Sequence, residues 1–167
     1  MTPTPSFQDR LAVTIATLGP VGHLPRMPGT WGSAAAVIAA PFVYLPYSPL
    51  TRALILAALL ILGTWAAHRA EKVLDAKDPG CIVVDEWVGQ WITYYPFSIM
   101  TTWQVLAGFV FFRILDMAKP WPIRSCDRRV PCGPGIMLDD VLAGIMAAAA
   151  LAGARWVYMH YLAHIPG

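Results

Sequence analysis

The sequence predicts an all-α fold: a polytopic helical membrane protein with about four to five short transmembrane helices and an N-terminal interfacial helix. Three observations predict it. The chain is 57% hydrophobic and only 13% charged, whereas soluble domains carry about 25% charged residues, and its mean hydropathy is +0.53. Every Asp, Glu, Lys and Arg except Arg52 and Arg155 falls in three blocks, 9–26, 68–86 and 113–140. Proline and glycine interrupt the apolar runs between those blocks. The length of 167 residues suits one domain spanning 1–167.

Composition also excludes. A net charge of +2 is too small to indicate a nucleic-acid partner. Cys81, Cys126 and Cys132 form no C-x-x-C pair, and their odd number argues against a disulfide framework, leaving small hydrophobes in a reducing compartment. The four histidines are scattered without zinc-ligand spacing. The polar, proline-rich first ten residues do not read as a cleavable signal.

The elements follow in order. Phe7, Leu11, Ile15 and Leu18 recur at helical spacing behind Ser6 as cap, predicting a short interfacial helix. Gly and Pro take seven of the fifteen positions in 19–33, which predicts a shaped loop with Ser33 as N-cap of the next helix. Ala34–Leu45 and Ala53–Ala67 are apolar and flank Pro46 and Pro49. They read as two short helices joined by a turn near 46–52. Each is shorter than the roughly 20 residues a span needs, so they extend into their flanks or meet a thinned bilayer. Residues 68–77 continue helically until Asp78-Pro79-Gly80 breaks the helix, and 81–84 is short and β-branched. Trp87–Met100 and Trp103–Leu115 are two further apolar segments parted near Pro96. Val141–Leu162 is long enough to span, and its Ala143, Gly144, Ala147, Ala148 and Gly153 suit close helix packing.

If each apolar region between blocks crosses twice, the three blocks share one side. They hold two, three and five Lys and Arg, against Arg52 in the opposite loops, so the positive-inside rule places them in the cytoplasm. Five helices result, or fewer if 87–112 enters and returns without crossing.

The block 113–140 carries Asp116, Asp127, Asp139 and Asp140 with Arg113, Lys119, Arg124, Arg128 and Arg129. Asp85-Glu86 and Asp139-Asp140 stand at the predicted mouths of two helices, and Asp116 near the end of a third. Unpaired acids beside hydrocarbon are costly. Acids converging from helix ends can hold a hard cation through oxygen, and Mg²⁺ fits because it takes a few carboxylates and keeps waters for a phosphate. Arg113, Asp116 and Lys119 share a helix face at i, i+3, i+6 until Pro120 ends it, and the Lys-Pro-Trp-Pro-Ile-Arg run fixes Lys119 and Arg124. Arginine offers a fork for phosphate oxygens. Pro28–Ser33 runs into a helix start, where N–H groups with the Thr30 and Ser33 hydroxyls can bind an anion. Gly133-Pro134-Gly135 allows close approach to a ligand ahead of Asp139. No Walker signature is present. A metal, cations and anion-binding loops at a membrane face point to a lipid phosphate, without separating hydrolysis from transfer.

At PGTWGS (28–33), IVVDEWVGQWIT (82–93), GFVFFRILDMAKPWPIR (108–124) and GIMLDDVLAG (135–144) the chain resembles the phosphatidylglycerophosphatase A family, bacterial inner-membrane lipid phosphatases. Cys132-Gly133-Pro134 departs from the glycine pair usual before GIMLDD. The resemblance implies Mg²⁺-dependent removal of the terminal phosphate of phosphatidylglycerophosphate, a phospholipid substrate held in the membrane. On this reading Asp85, Glu86, Asp139 and Asp140, with Asp116, hold one or two Mg²⁺ and activate water, while Arg113, Lys119, Arg124 and the Thr30–Ser33 loop neutralise the phosphoryl group. An aspartyl-phosphate route through Asp116 or Asp139 is the mechanistic rival. Two other functions compete. A CDP-alcohol phosphotransferase would require a D-x-x-D-G-x-x-A-R pattern that is absent here. A small transporter or ion-conducting protein would use the acids as a pathway.

Overall fold

The computed structural model describes residues 6–121, 123 and 133–162, and the side chains of 133, 134 and 162 fall outside that description. Arg124, Cys126, Asp127, Arg128, Arg129 and Cys132 therefore lie outside the described residues. Among the described residues every regular element is helical. The described residues include α1 (Phe7–Ala16), α2 (Pro28–Val43), α3 (Pro49–Leu74), α4 (Val84–Tyr94), α5 (Thr102–Ala118) and α6 (Gly133–Val157). A 3₁₀ turn at Val21–His23 precedes α2, and a π-helical turn at Tyr158–Leu162 extends α6.

Local chemistry explains most boundaries. Ser6 caps α1 by accepting from the Asp9 N–H at 3.2 Å, and Asp9 accepts back from the Ser6 N–H at 2.8 Å, a reciprocal capping box. Ser48 caps α3 with Pro49 in the first turn, where a missing N–H costs nothing. Thr101 and Gln104 form a second box at α5. Lys119 ends α5 in the left-handed region at φ 41°, and Pro120 follows.

Three expectations need correction. Residues 28–33 are not loop: α2 begins at Pro28 behind a left-handed Met27 at φ 49°. Ser33 is accordingly no N-cap, and its hydroxyl donates to the Gly29 carbonyl at 3.0 Å within the helix. Helix α6 begins at Gly133, so Gly133-Pro134-Gly135 forms its first turn and Asp139-Asp140 sit inside it rather than at its mouth. Gly153 meets nothing, although Gly144 packs directly on the Gly89 carbonyl and Ile92 of α4.

The helices share two ends. At one, Arg69 of α3 bonds Asp9 of α1 at 2.8 Å, and Glu71, Asp85, Asp116 and Asp140 border one cavity. The Ser6 hydroxyl, with Arg69, holds the Asp9 carboxyl down at about 2. At the other end, buried Arg52 of α3 donates to the Phe97 carbonyl at 2.7 Å and lies over the Tyr44 and Tyr95 rings. Arg155 of α6 reaches the Ile99 carbonyl at 3.3 Å. Helices α4 and α5 thus run from the acidic end to the Arg52 end and back. The core between consists of Ala36, Ala40, Leu56, Ala66, Val84, Val88 and Trp91, with Trp91 stacked on Tyr44 and donating its indole N–H to the Ala36 carbonyl at 2.9 Å.

Among the described residues two helices, Pro49–Leu74 and Gly135–Tyr161, are long and apolar enough to cross a membrane. The first reaches well beyond 53–67, as its flanks allowed. Leu50, Leu54, Ile61 and Leu62 leave it as an exposed apolar face, the pattern of a lipid-facing helix.

Candidate active site

The acidic end is built by α4, α5 and α6. Asp85 and Glu86 occupy the first turn of α4, where the helix dipole favours carboxylates. Val83, just before them, is pinned by its N–H to the Ala16 carbonyl of α1 at 2.9 Å. This is why the β-branched 81–84 segment makes no strand: its hydrogen bond goes to a helix end. Across from it, a Cβ on Gly89 would strike the Asp140 carbonyl and Phe112. Only a glycine lets α4 approach α6 so closely.

That approach gathers carboxylates. One oxygen each of Asp85, Glu86 and Asp140 lies within 4.8 Å of the others. Asp116 stands beside them, close to both Asp140 and Glu86. Asp140 is only 4% exposed, so these charges repel in a medium that screens poorly. Asp85 Oδ1, Glu86 Oε2 and Asp140 Oδ2 are buried without hydrogen-bond partners. Buried anionic oxygens lacking donors are costly, and a hard cation with oxygen ligands satisfies such a set. The donor set therefore fits a divalent cation.

Cations flank the group. Arg113 Nη1 bonds Asp116 Oδ2 at 2.7 Å and stands 4.0 Å from Glu86 Oε1. It also reaches the Ser33 hydroxyl at 3.4 Å, tying α5 to α2. Lys119 Nζ bonds Asp139 Oδ2 at 2.8 Å. Asp139 thus faces the end of α5, while Asp140 faces α4. A cavity of about 240 Å³ opens between, bordered by the four acids Asp85, Glu86, Asp116 and Asp140 together with Lys119, Asp139, Glu71 and Lys77.

Most of the expected site residues meet here. Asp85, Glu86, Asp116, Asp139, Asp140, Arg113 and Lys119 converge from three segments distant in sequence. Ser33 joins through Arg113. The Thr30 N–H donates to the Met27 carbonyl at 2.9 Å, so that amide is engaged inside the helix start. Arg124 lies outside the described residues. Sequence reasoning missed Glu71 and Lys77. Glu71 is buried and accepts the Asp78 N–H at 3.0 Å, which folds the 75–80 segment over the cavity. Its membership in the second charged block was the one signal available.

These features define a membrane-associated, all-helical protein whose buried carboxylate cluster, set beside an arginine and a lysine, can coordinate a metal ion. The family model for phosphatidylglycerophosphatase A matches residues 14–155, and the chain belongs to that family. It is 44% identical over 135 residues to phosphatidylglycerophosphatase A of Escherichia coli K12, covering 78% of this chain and 75% of that one. It is 39% identical over 127 residues to the Haemophilus influenzae protein of the same name, covering 75% and 77%. A Bacteroides thetaiotaomicron relative, provisionally named phosphatidylinositol-3-phosphatase, is 39% identical over 159 residues, covering 92% and 97%. No solved structure matches the chain significantly. Family membership makes the protein a lipid phosphatase, a hydrolase acting on a lipid substrate.

Proposed function

We propose that the chain, acting as one domain over 1–167, hydrolyses phosphatidylglycerophosphate to phosphatidylglycerol and inorganic phosphate in a Mg²⁺-dependent reaction. The observation that carries this reading is the convergence of Asp85, Glu86 and Asp140 within 4.8 Å, each with one buried oxygen that has no hydrogen-bond partner. These three would hold the ion. When bound, Mg²⁺ supplies Lewis-acid polarisation of the phosphoryl group and lowers the pKa of water.

The remaining residues orient and neutralise. Asp116 fixes the Arg113 guanidinium through the 2.7 Å bond, and Asp139 fixes the Lys119 ammonium at 2.8 Å. Both cations then face the oxygens of the transferring phosphoryl group, where charge spreads in the transition state. Oxygen of water bonds to phosphorus, the phosphorus–oxygen ester bond breaks, and the glycerol oxygen leaves as an alcohol with a proton. The Thr30 side chain lines the approach from α2, buried Ser33 supports Arg113 through its hydroxyl, and Arg124 is proposed to contact the same phosphate. On this reading Asp139, expected from sequence among the metal ligands, serves by positioning Lys119.

We further propose four to five crossings of the bacterial inner membrane with the acidic end in the cytoplasm. Support comes from the charge asymmetry and from the meeting of the three ionisable blocks at one end. Helix α4, with 11 residues, extends only about 16 Å. Phe97, three residues beyond it, nonetheless meets Arg52 at the far end of α3, so 87–112 reaches that end and returns within a bundle thinner than the roughly 30 Å hydrocarbon layer.

The deciding experiment measures phosphate release from phosphatidylglycerophosphate by purified protein, with Mg²⁺ or with a chelator, beside Asp140→Asn. Release that survives both the chelator and the substitution would refute the metal-dependent reading. Parallel assays with phosphatidylinositol 3-phosphate and for CMP production separate the neighbouring lipid chemistries.

A further inference from the structure

A second cavity, of about 500 Å³, lies on the outer face of the protein between the start of α2 and the last turns of α5. Met27, Val110, Ile114 and Met117 line it, and each is roughly half or more exposed. With Leu106 they continue a stripe along α5 that points away from the core. The polar lining consists of Thr30 and Arg113. Two buried polar atoms there, Thr30 Oγ1 and Arg113 Nε, have no hydrogen-bond partner. Arg113 is at the same time bonded to Asp116 and near Glu86, so one side chain separates the apolar groove from the carboxylate cluster.

We propose that this groove seats the glycerol backbone and upper acyl chains of a membrane phospholipid, which enters sideways from the bilayer with its phosphate against Arg113. Charge complementarity selects the occupant. An apolar trough open to hydrocarbon takes acyl chain, and buried donors at its inner end are satisfied by anionic phosphate oxygens. Arg113 stands between the groove and the carboxylates, so a lipid lying in the groove brings its phosphate up to Arg113, beside the acids, without leaving the membrane. The inference rests on the lipid-phosphatase reading, and it identifies the segment that recognises the lipid body.

The test uses the whole protein in phosphatidylcholine vesicles. One probe is phosphatidic acid carrying a diazirine near the top of one acyl chain, and the control is phosphatidylcholine carrying the same group. After illumination, labelled peptides are mapped. The phosphatidic acid probe should label 106–118 well above the exposed stripe of α3 at Leu54, Ile61 and Leu62, the control probe should show no preference, and Ile114→Trp should remove the preference by filling the groove. Equal labelling of both stripes by phosphatidic acid, or a preference unchanged in Ile114→Trp, overturns the proposal. In turnover, Ile114→Trp should lower kcat/KM for long-chain substrate about tenfold while sparing a water-soluble, deacylated substrate. An equal loss on both substrates also overturns it. Labelling needs no hydrolysis, so a wild-type protein that releases no phosphate counts against the proposed reaction and leaves the groove to be judged by the probes.

Discussion

The Glu86 carboxylate lies where the first side-chain carbon of any residue other than glycine at position 29 would stand. The PGTWGS turn therefore serves the acid cluster by being small. It opens the space into which Glu86 folds, between α2 and Arg113. Gly29→Ala should push Glu86 off the cluster and weaken Mg²⁺ activation about 10–100-fold, the range for disturbed support of a metal ligand. A Mg²⁺ titration of phosphate release measures this. An unaltered Mg²⁺ requirement would show that Glu86 moves freely and is no ligand.

The bond between Lys119 and Asp139 joins the end of α5 to α6 beside the cavity. Lys119→Met should reduce phosphate release by about 10²–10³-fold, as for loss of one group that stabilises developing charge. Adding Asp139→Asn to Lys119→Met should cost far less than the sum of the two changes, because they form one unit. A double-mutant cycle should give a stability coupling of about 0.5–3 kcal/mol. Additive effects would separate the two residues.

Mg²⁺ should stabilise the folded protein as well as activate it. At a concentration 100 times its Kd, an ion bound only to the native state contributes about 2.7 kcal/mol, visible as a higher Tm in detergent. Asp85→Asn and Asp140→Asn should lose that rise. Asp139→Asn should keep it, since Asp139 is bonded to Lys119 and lies outside the three-carboxylate group. Loss of the rise in Asp139→Asn would return that residue to the metal.

At the far end, Arg52 is almost fully buried with the Phe97 carbonyl as its main partner. Arg52→Met should lower stability by about 1–3 kcal/mol, the cost of stranding a buried acceptor. The per-molecule rate of the folded fraction should change little, because Arg52 lies at the opposite end of α3 from Glu71. Chemical denaturation followed in detergent, together with the specific activity of the folded fraction, tests both parts.

Much of the helix plan was legible because its signals are local. Ser6 accepts from the N–H three residues on, and Asp78-Pro79-Gly80 interrupts the backbone whatever surrounds it, whereas the turn expected at 46–52 gives way to a helix that starts at Pro49 behind Ser48. The apolar runs needed no partner to be recognised. Errors arose where a distant segment decides. Helix α2 starts at Pro28 because Gly32 can pack against Val83 and Gly29 against Glu86, contacts between residues more than fifty positions apart. In isolation three glycines and prolines within five residues look like loop.

The sequence by itself determined that the chain is helical and apolar, that its charges fall in three blocks, and that acids and cations accompany the apolar helices. These follow from transfer energies and backbone constraints belonging to each residue. Only the tertiary structure decided which carboxylates meet. Asp139 and Asp140 are neighbours in sequence, yet successive side chains on a helix diverge by about 100°. Where α4 and the end of α5 dock on α6 therefore sends one to Lys119 and the other to Asp85 and Glu86. The same docking brings in Glu71 from a helix that no spacing rule connects to them.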